Sequence, residues 1–312
     1  MEKGVNPKGK GMKEPLSPFP KQPSPYGIKP YGWAGIAVVG VAEYLLFFQE
    51  IPWVKTYFTP LVWSGYILFM DSLLKRRAGY SPLWDFPKEF LVLLPLSVGL
   101  WLIFEFYNLF FGNWYYAGLP EEPLLRYLGY IWAFATIWPA ILITAAVLGH
   151  TEWMAHRKML PITPRPRGLI ILMILGLVCL ILPFLLSKNL ARYTAGPVWL
   201  GFIFLLDPLN YRFGRYSLLI DLEKGDPRKG ISLLLAGLIC GFLWEFWNFW
   251  AGAKWHYTVP ILEELKIFEM PVLGYLGFPA FALECYVMAG FLWNLAGIKK
   301  NAPWLRLTFG EN

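Results

Sequence analysis

The chain has 312 residues, of which 56% belong to the hydrophobic set AVILMFWYC and only 16% are charged. Soluble domains carry about a quarter charged residues, so this composition excludes an ordinary soluble enzyme and describes a polytopic membrane protein. The net charge of +7 does not indicate nucleic acid, because the basic residues gather in a tail and in loops, where they orient membrane spans.

Residues 1–30 contain Lys3, Lys8, Lys10 and Lys13 among prolines such as Pro15, Pro18, Pro20, Pro23 and Pro25, with no apolar core. They read as a disordered basic tail, not a cleavable signal. The tail holds the N-terminus in the cytoplasm, or docks a partner. Apolar blocks of the length needed to cross a bilayer follow. They predict eight spans at 31–49, 58–75, 88–112, 125–149, 168–187, 196–210, 230–251 and 272–297. Lys75-Arg76-Arg77, then His156-Arg157-Lys158 with Arg165 and Arg167, then Arg212, Arg215, Lys224, Arg228 and Lys229 mark alternate loops. The intervening loops carry Glu121 and Glu122, and Glu263, Glu264 and Glu269. The positive-inside rule places both termini in the cytoplasm, here of an integral protein of a bacterial inner membrane. Lys188 and Arg192 run against this pattern.

The chain repeats itself. Trp63, Gly65, Asp71, Tyr80, Ser81 and Asp85 recur 136 positions later as Trp199, Gly201, Asp207, Tyr216, Ser217 and Asp221. Leu128-Gly129-Tyr130 recurs as Leu273-Gly274-Tyr275. The fold expected is all-α, with two tandem four-helix repeats at 31–157 and 158–300 and a C-terminal tail at 301–312. An even number of spans per repeat gives both the same orientation, related by an axis along the membrane normal. The seam falls in the basic, proline-rich stretch Pro161 to Arg167.

The most informative repeat lies in spans three and seven. Phe104-Glu105-Phe106-Tyr107-Asn108, with Gly112 and Trp114-Tyr115-Tyr116, matches Trp244-Glu245-Phe246-Trp247-Asn248, with Gly252 and Trp255-His256-Tyr257. Each puts an acid and an amide three residues apart, on one helix face. An ionisable group inside a membrane helix is a functional-site hypothesis by default. Glu105 and Glu245 are either packing pins between helices or buried acids that donate protons to an apolar substrate.

Glu284 stands mid-span with no acid at its counterpart near Pro139, which suggests a site specialised in one half. Pro279 is expected to break or kink span eight near it. Asp71 and Asp207, beside positive loops, read as partners of Arg76 and Arg212. His256 is either a proton relay or an ordinary interfacial residue. Trp33, Trp53, Trp84, Trp114, Trp153, Trp255 and Trp304 fit the aromatic belts at the two interfaces. Trp244, Trp247 and Trp250, with Phe104 and Tyr107, are helix packing or the lining of an apolar site. His150 and His156 fall on different helix faces and predict no metal. Cys179, Cys240 and Cys285 offer neither a disulfide framework nor ligand spacing. No cofactor is expected.

The combination of Trp244-Glu245, Trp255 with Tyr257, and Pro279 with Glu284 resembles the small integral-membrane lycopene cyclases, built of two similar halves. Phe104-Glu105 and Gly112-Asn113-Trp114-Tyr115-Tyr116 are the matching positions of the first copy. The resemblance implies redox-neutral ring closure of a polyene end group. Protonated Glu245 or Glu284 would add a proton to a terminal double bond, and a second carboxylate would remove one after cyclisation. Aromatic rings (Trp114, Trp244, Trp247, Trp255, Tyr257) would hold the cation, and Asn108 and Asn248 would orient the acids. No metal or nucleotide would be consumed, in keeping with the lack of a phosphate-binding loop. The expected partner is a membrane lipid or isoprenoid substrate, with a homo-oligomer or membrane complex left open. A proton or lipid transporter and a non-catalytic subunit are the other classes the sequence allows.

Overall fold

Proline sets the starts of the helices. Pro30, Pro52, Pro82, Pro87, Pro123 and Pro166 each stand in the first turn of one, where the missing N–H has no partner to lose. The computed structural model describes residues 27–297 and 303–307. The tail reading for residues up to 26, and the parts of the C-terminal reading at 298–302 and 308–312, lie outside the described residues.

The first half runs α1 (Pro30–Phe47), α2 (Pro52–Ala78), short α3 (Pro82–Asp85), α4 (Pro87–Phe111), strand β1 (Trp114–Ala117), α5 (Pro123–Ala135) and α6 (Ile137–Gly149). A short α7 (Glu152–Ala155) precedes the seam. The second half has α8 (Pro166–Leu185), short α9 (Lys188–Ala191), α10 (Ala195–Phe213), α11 (Leu218–Lys224), α12 (Arg228–Trp250), strands β2 (Lys254–Tyr257), β3 (Lys266–Ile267) and β4 (Met270–Pro271), and α13 (Gly277–Leu295). A single turn, α14 (Pro303–Arg306), closes the described chain. Six helical stretches among the described residues are long and apolar enough to cross a membrane, α5 and α6 counting as one. α2 and α10 are not among them.

α6 is the axis of the molecule. Every residue from Ile137 to Val147 is buried, enclosed by α2, α4, α12 and α13. α1 and α8 lie outside and turn Ile171, Ile174 and Val178, among others, to the exterior, as lipid-facing helices do. Both pack chiefly on one neighbour through glycine. A Cβ on Gly65 would stand 2.6 Å from the Gly35 carbonyl oxygen, and one on Gly176 would stand 2.7 Å from that of Gly201. Small residues allow helix backbones this approach where lipid supplies no hydrophobic drive.

The two halves share one core. α12 packs on α6 and α2, and the Trp138 indole donates to the Cys285 carbonyl at 2.9 Å. The seam is no linker, since Met159 and Ile162 donate their N–H groups to Gly225 and Leu222. Residues 303–307, expected as tail, bury Trp304, Leu305 and Leu307 against α6 and α13.

The fourth span is one stretch, Pro123–Gly149, with a break between α5 and α6 at Thr136. Two expectations need correcting. The eighth span opens as a 3₁₀ turn (Val272–Leu276), and Pro279 sits in the first turn of α13. There it breaks no hydrogen bond, so it puts no kink beside Glu284. Asp71 and Asp207 do not pair with Arg76 and Arg212. Asp71 accepts from Tyr31 and Ser81 hydroxyls and the Leu83 N–H, and Asp207 from the Leu218 and Leu219 N–H groups. Each carboxyl thus satisfies unpaired donors at the start of the next short helix, a fixed geometry that a flexible arginine cannot match.

A candidate proton-transfer site beneath a two-stranded ribbon

Glu105 and Glu245 lie in the last turns of α4 and α12. The amide three residues on serves the turn that follows. Asn108 Oδ1 accepts from the N–H groups of Asn113 and Trp114, and its Nδ2 donates to the Trp114 carbonyl at 2.8 Å. Asn248 clamps Trp255 in the same way, accepting its N–H at 2.9 Å and donating to its carbonyl at 2.8 Å. Both amides are spent on the backbone, so they shape the site by folding a strand back over each glutamate.

The returning strand brings an indole and a phenol to the acid. Glu105 Oε1 accepts from Trp114 Nε1 at 3.1 Å, Tyr116 hydroxyl at 2.6 Å and Trp101 Nε1 at 2.9 Å. Glu245 Oε1 accepts from the Tyr257 hydroxyl at 3.0 Å. Burial, and then the adjoining glutamate, push both phenols well above the ordinary tyrosine range, so they stay protonated donors.

β1 and β2 then pair antiparallel, Trp114 with Tyr257, Tyr115 with His256 and Tyr116 with Trp255. Alternation along a strand sends Trp114, Tyr116, Trp255 and Tyr257 inward and Tyr115 and His256 outward. The two outward rings stack with centroids 5.4 Å apart. His256 Nδ1 meets Glu269 at 2.9 Å, and Lys254 approaches the same carboxylate at 3.6 Å. His256 therefore belongs to the outer surface of the ribbon.

Under the ribbon is a cavity of about 150 Å³, the volume of an apolar void that admits a benzene-sized guest. Six tryptophans line it, namely Trp63, Trp101, Trp114, Trp199, Trp244 and Trp255. Tyr116, Tyr257, Phe134 and Phe281 also face it. Glu105 and Glu245 sit one layer behind this wall and reach it through the two tyrosines.

The other sequence candidates divide. Trp247 is outside the wall; its indole donates to Glu43 at 3.1 Å and its ring packs edge-on against Trp63. Trp114 and Trp255 are inner wall, not interfacial belt, and Trp304 is buried. Trp33, Trp53, Trp84 and Trp153 are exposed as a belt requires. Glu284 is fully buried, with no hydrogen-bond partner on either oxygen. It belongs to no part of the cavity wall and shares no hydrogen bond with Glu245. From the same helix Gly277, Phe278 and Phe281 face the void, Phe281 one turn before Glu284.

Sequence reasoning missed Tyr116, Trp63, Trp101 and Trp199 as site residues. Trp63 and Trp199 were visible as a repeated pair, and Tyr116 as the counterpart of Tyr257. Trp101 stands one helical turn before Glu105, the spacing at which a donor meets an acid.

No known protein family, curated protein or solved structure matches this chain.

Proposed function

We propose that this is a membrane-embedded enzyme acting on an apolar isoprenoid or lipid by proton transfer, of the cyclase or isomerase type. One observation carries the reading: an aromatic cavity between the two halves is lined by two tyrosines, each with its hydroxyl on a glutamate. Protonating a double bond leaves a carbocation, and tryptophan faces are the side chains best suited to stabilise it. Losing a proton afterwards restores neutrality without redox change. A carotenoid-like end group is the substrate class, and neither metal nor nucleotide takes part.

The same reading makes the chain two tandem four-helix repeats with eight spans, both termini cytoplasmic. Eight long helical stretches support it, as does the ribbon. Trp114 and Trp255, Tyr115 and His256, and Tyr116 and Tyr257 are counterparts in sequence. Their register, centred on Tyr115 and His256, is what a two-fold axis along the membrane normal produces.

The test is a pigment chromatogram from a lycopene-accumulating bacterial host expressing the wild type or Glu245→Gln at matched membrane abundance. A product of unchanged mass, shifted retention and shorter-wavelength absorption, absent in the variant, is the expected result. An unchanged profile from folded wild type would overturn the carotenoid cyclase reading.

A further inference from the structure

Glu105 and Glu245 occupy the same place in the two halves, yet their surroundings differ. Three donors converge on Glu105 Oε1, from Trp101, Trp114 and Tyr116. A carboxylate oxygen can only accept, so all three neighbours donate to it. Glu245 receives one closed hydrogen bond, from the Tyr257 hydroxyl, and the Trp255 indole adjoins it without closing a second. Its Oε2 has no partner and its side chain is fully buried. A negative charge there would leave one oxygen bare in an apolar wall, and a bound proton removes that cost.

The difference is written in the sequence. Trp101 precedes Glu105 by four residues, and the position four before Glu245 is Gly241. No donor could be fitted there, because even a Cβ on Gly241 would collide with the Phe278 ring. Trp255, counterpart of Trp114, also has no hydrogen-bond partner for its indole nitrogen.

We propose that the two glutamates form a matched acid and base, with Glu245 holding a transferable proton and Glu105 poised to take one up. The roles rest on the proton-transfer reading of the cavity. Tyr257 gives its hydroxyl proton to a carbon of the substrate double bond and receives the Glu245 proton in its place, leaving a Glu245 carboxylate and a substrate cation. A C–H proton of the rearranged cation then passes to the Tyr116 oxygen as the Tyr116 hydroxyl proton moves to Glu105. One C–H bond is made and one broken, and the substrate's oxidation state is unchanged. Loss of a proton from Glu105 and uptake of one by Glu245 restore the starting state.

Infrared spectra of the purified full-length protein in lipid nanodiscs test the assignment without any substrate. Wild type is compared with Glu245→Gln, Glu105→Gln, Trp101→Phe and Tyr257→Phe, and Glu284→Gln, Asp71→Asn and Asp207→Asn identify the bands of the other buried carboxyls. Glu245→Gln should remove one carboxylic-acid carbonyl band, whereas Glu105→Gln should remove carboxylate absorption only. Tyr257→Phe should shift the Glu245 band without removing it, which serves if Glu245→Gln does not fold. Trp101→Phe should raise an acid band for Glu105. An acid band lost in Glu105→Gln, or no band that responds at either Glu245 or Tyr257, would overturn the proposal. Spectra as expected with no turnover of any pigment would leave this division standing and reject the substrate reading alone.

Discussion

Tyr116 and Tyr257 hold equivalent glutamates with different margins. Removing the Tyr257 hydroxyl leaves buried Glu245 without a hydrogen-bond donor, so Tyr257→Phe should cost about 1–3 kcal/mol, the penalty of an unsatisfied buried group. Tyr116→Phe leaves Glu105 two indole donors and should cost only about 0.5–1.5 kcal/mol, an ordinary hydrogen bond. Reversible denaturant unfolding of both variants in one detergent gives the comparison; equal losses would contradict the unequal donor sets. Glu284 is the opposite case, a buried acid with neither oxygen partnered. Its prominence in the sequence came from asymmetry between the copies, which says where a residue is unusual but not what surrounds it.

At the scale of elements, proline and glycine do different work. Pro279 opens α13 and Gly65 seats α2 against α1. Pro279→Ala should therefore change stability by less than about 0.5 kcal/mol, as at an uncommitted helix start. Gly65→Val should lower the unfolding midpoint by the equivalent of about 1–3 kcal/mol, the usual range for forced overpacking, and reduce yield from membranes. A mid-helix kink at Pro279 would reverse the order of the two effects.

At the scale of the molecule, the ribbon joins the halves across the top of the cavity. Opposed residues of an antiparallel pair have Cα atoms about 4.5–5.5 Å apart, within reach of a disulfide. Tyr115→Cys with His256→Cys, in a background lacking Cys179, Cys240 and Cys285, should cross-link on mild oxidation. Cutting an inserted protease site in the seam near Thr163 should then leave both fragments in one band on a non-reducing gel, separating on reduction. Fragments that separate without reductant would show that the strands are not paired in this register.

Membrane class, the approximate limits of the long helices, and the motif of acid, amide and returning aromatics were all legible in the sequence. Those follow from local physics, since apolar length, proline and glycine positions and helical spacing act within a few turns. It also held the asymmetry of Trp101 and Gly241, though nothing local marks which glutamate an indole will reach. The folded chain was needed to see that Asn108 and Asn248 clamp backbone, that Asp71 and Asp207 serve helix starts, and that Trp63 and Trp199 meet in one wall. Those outcomes depend on how two distant segments pack, and hydrogen-bonding groups buried by that packing take the nearest fixed partner instead of the one nearest in sequence.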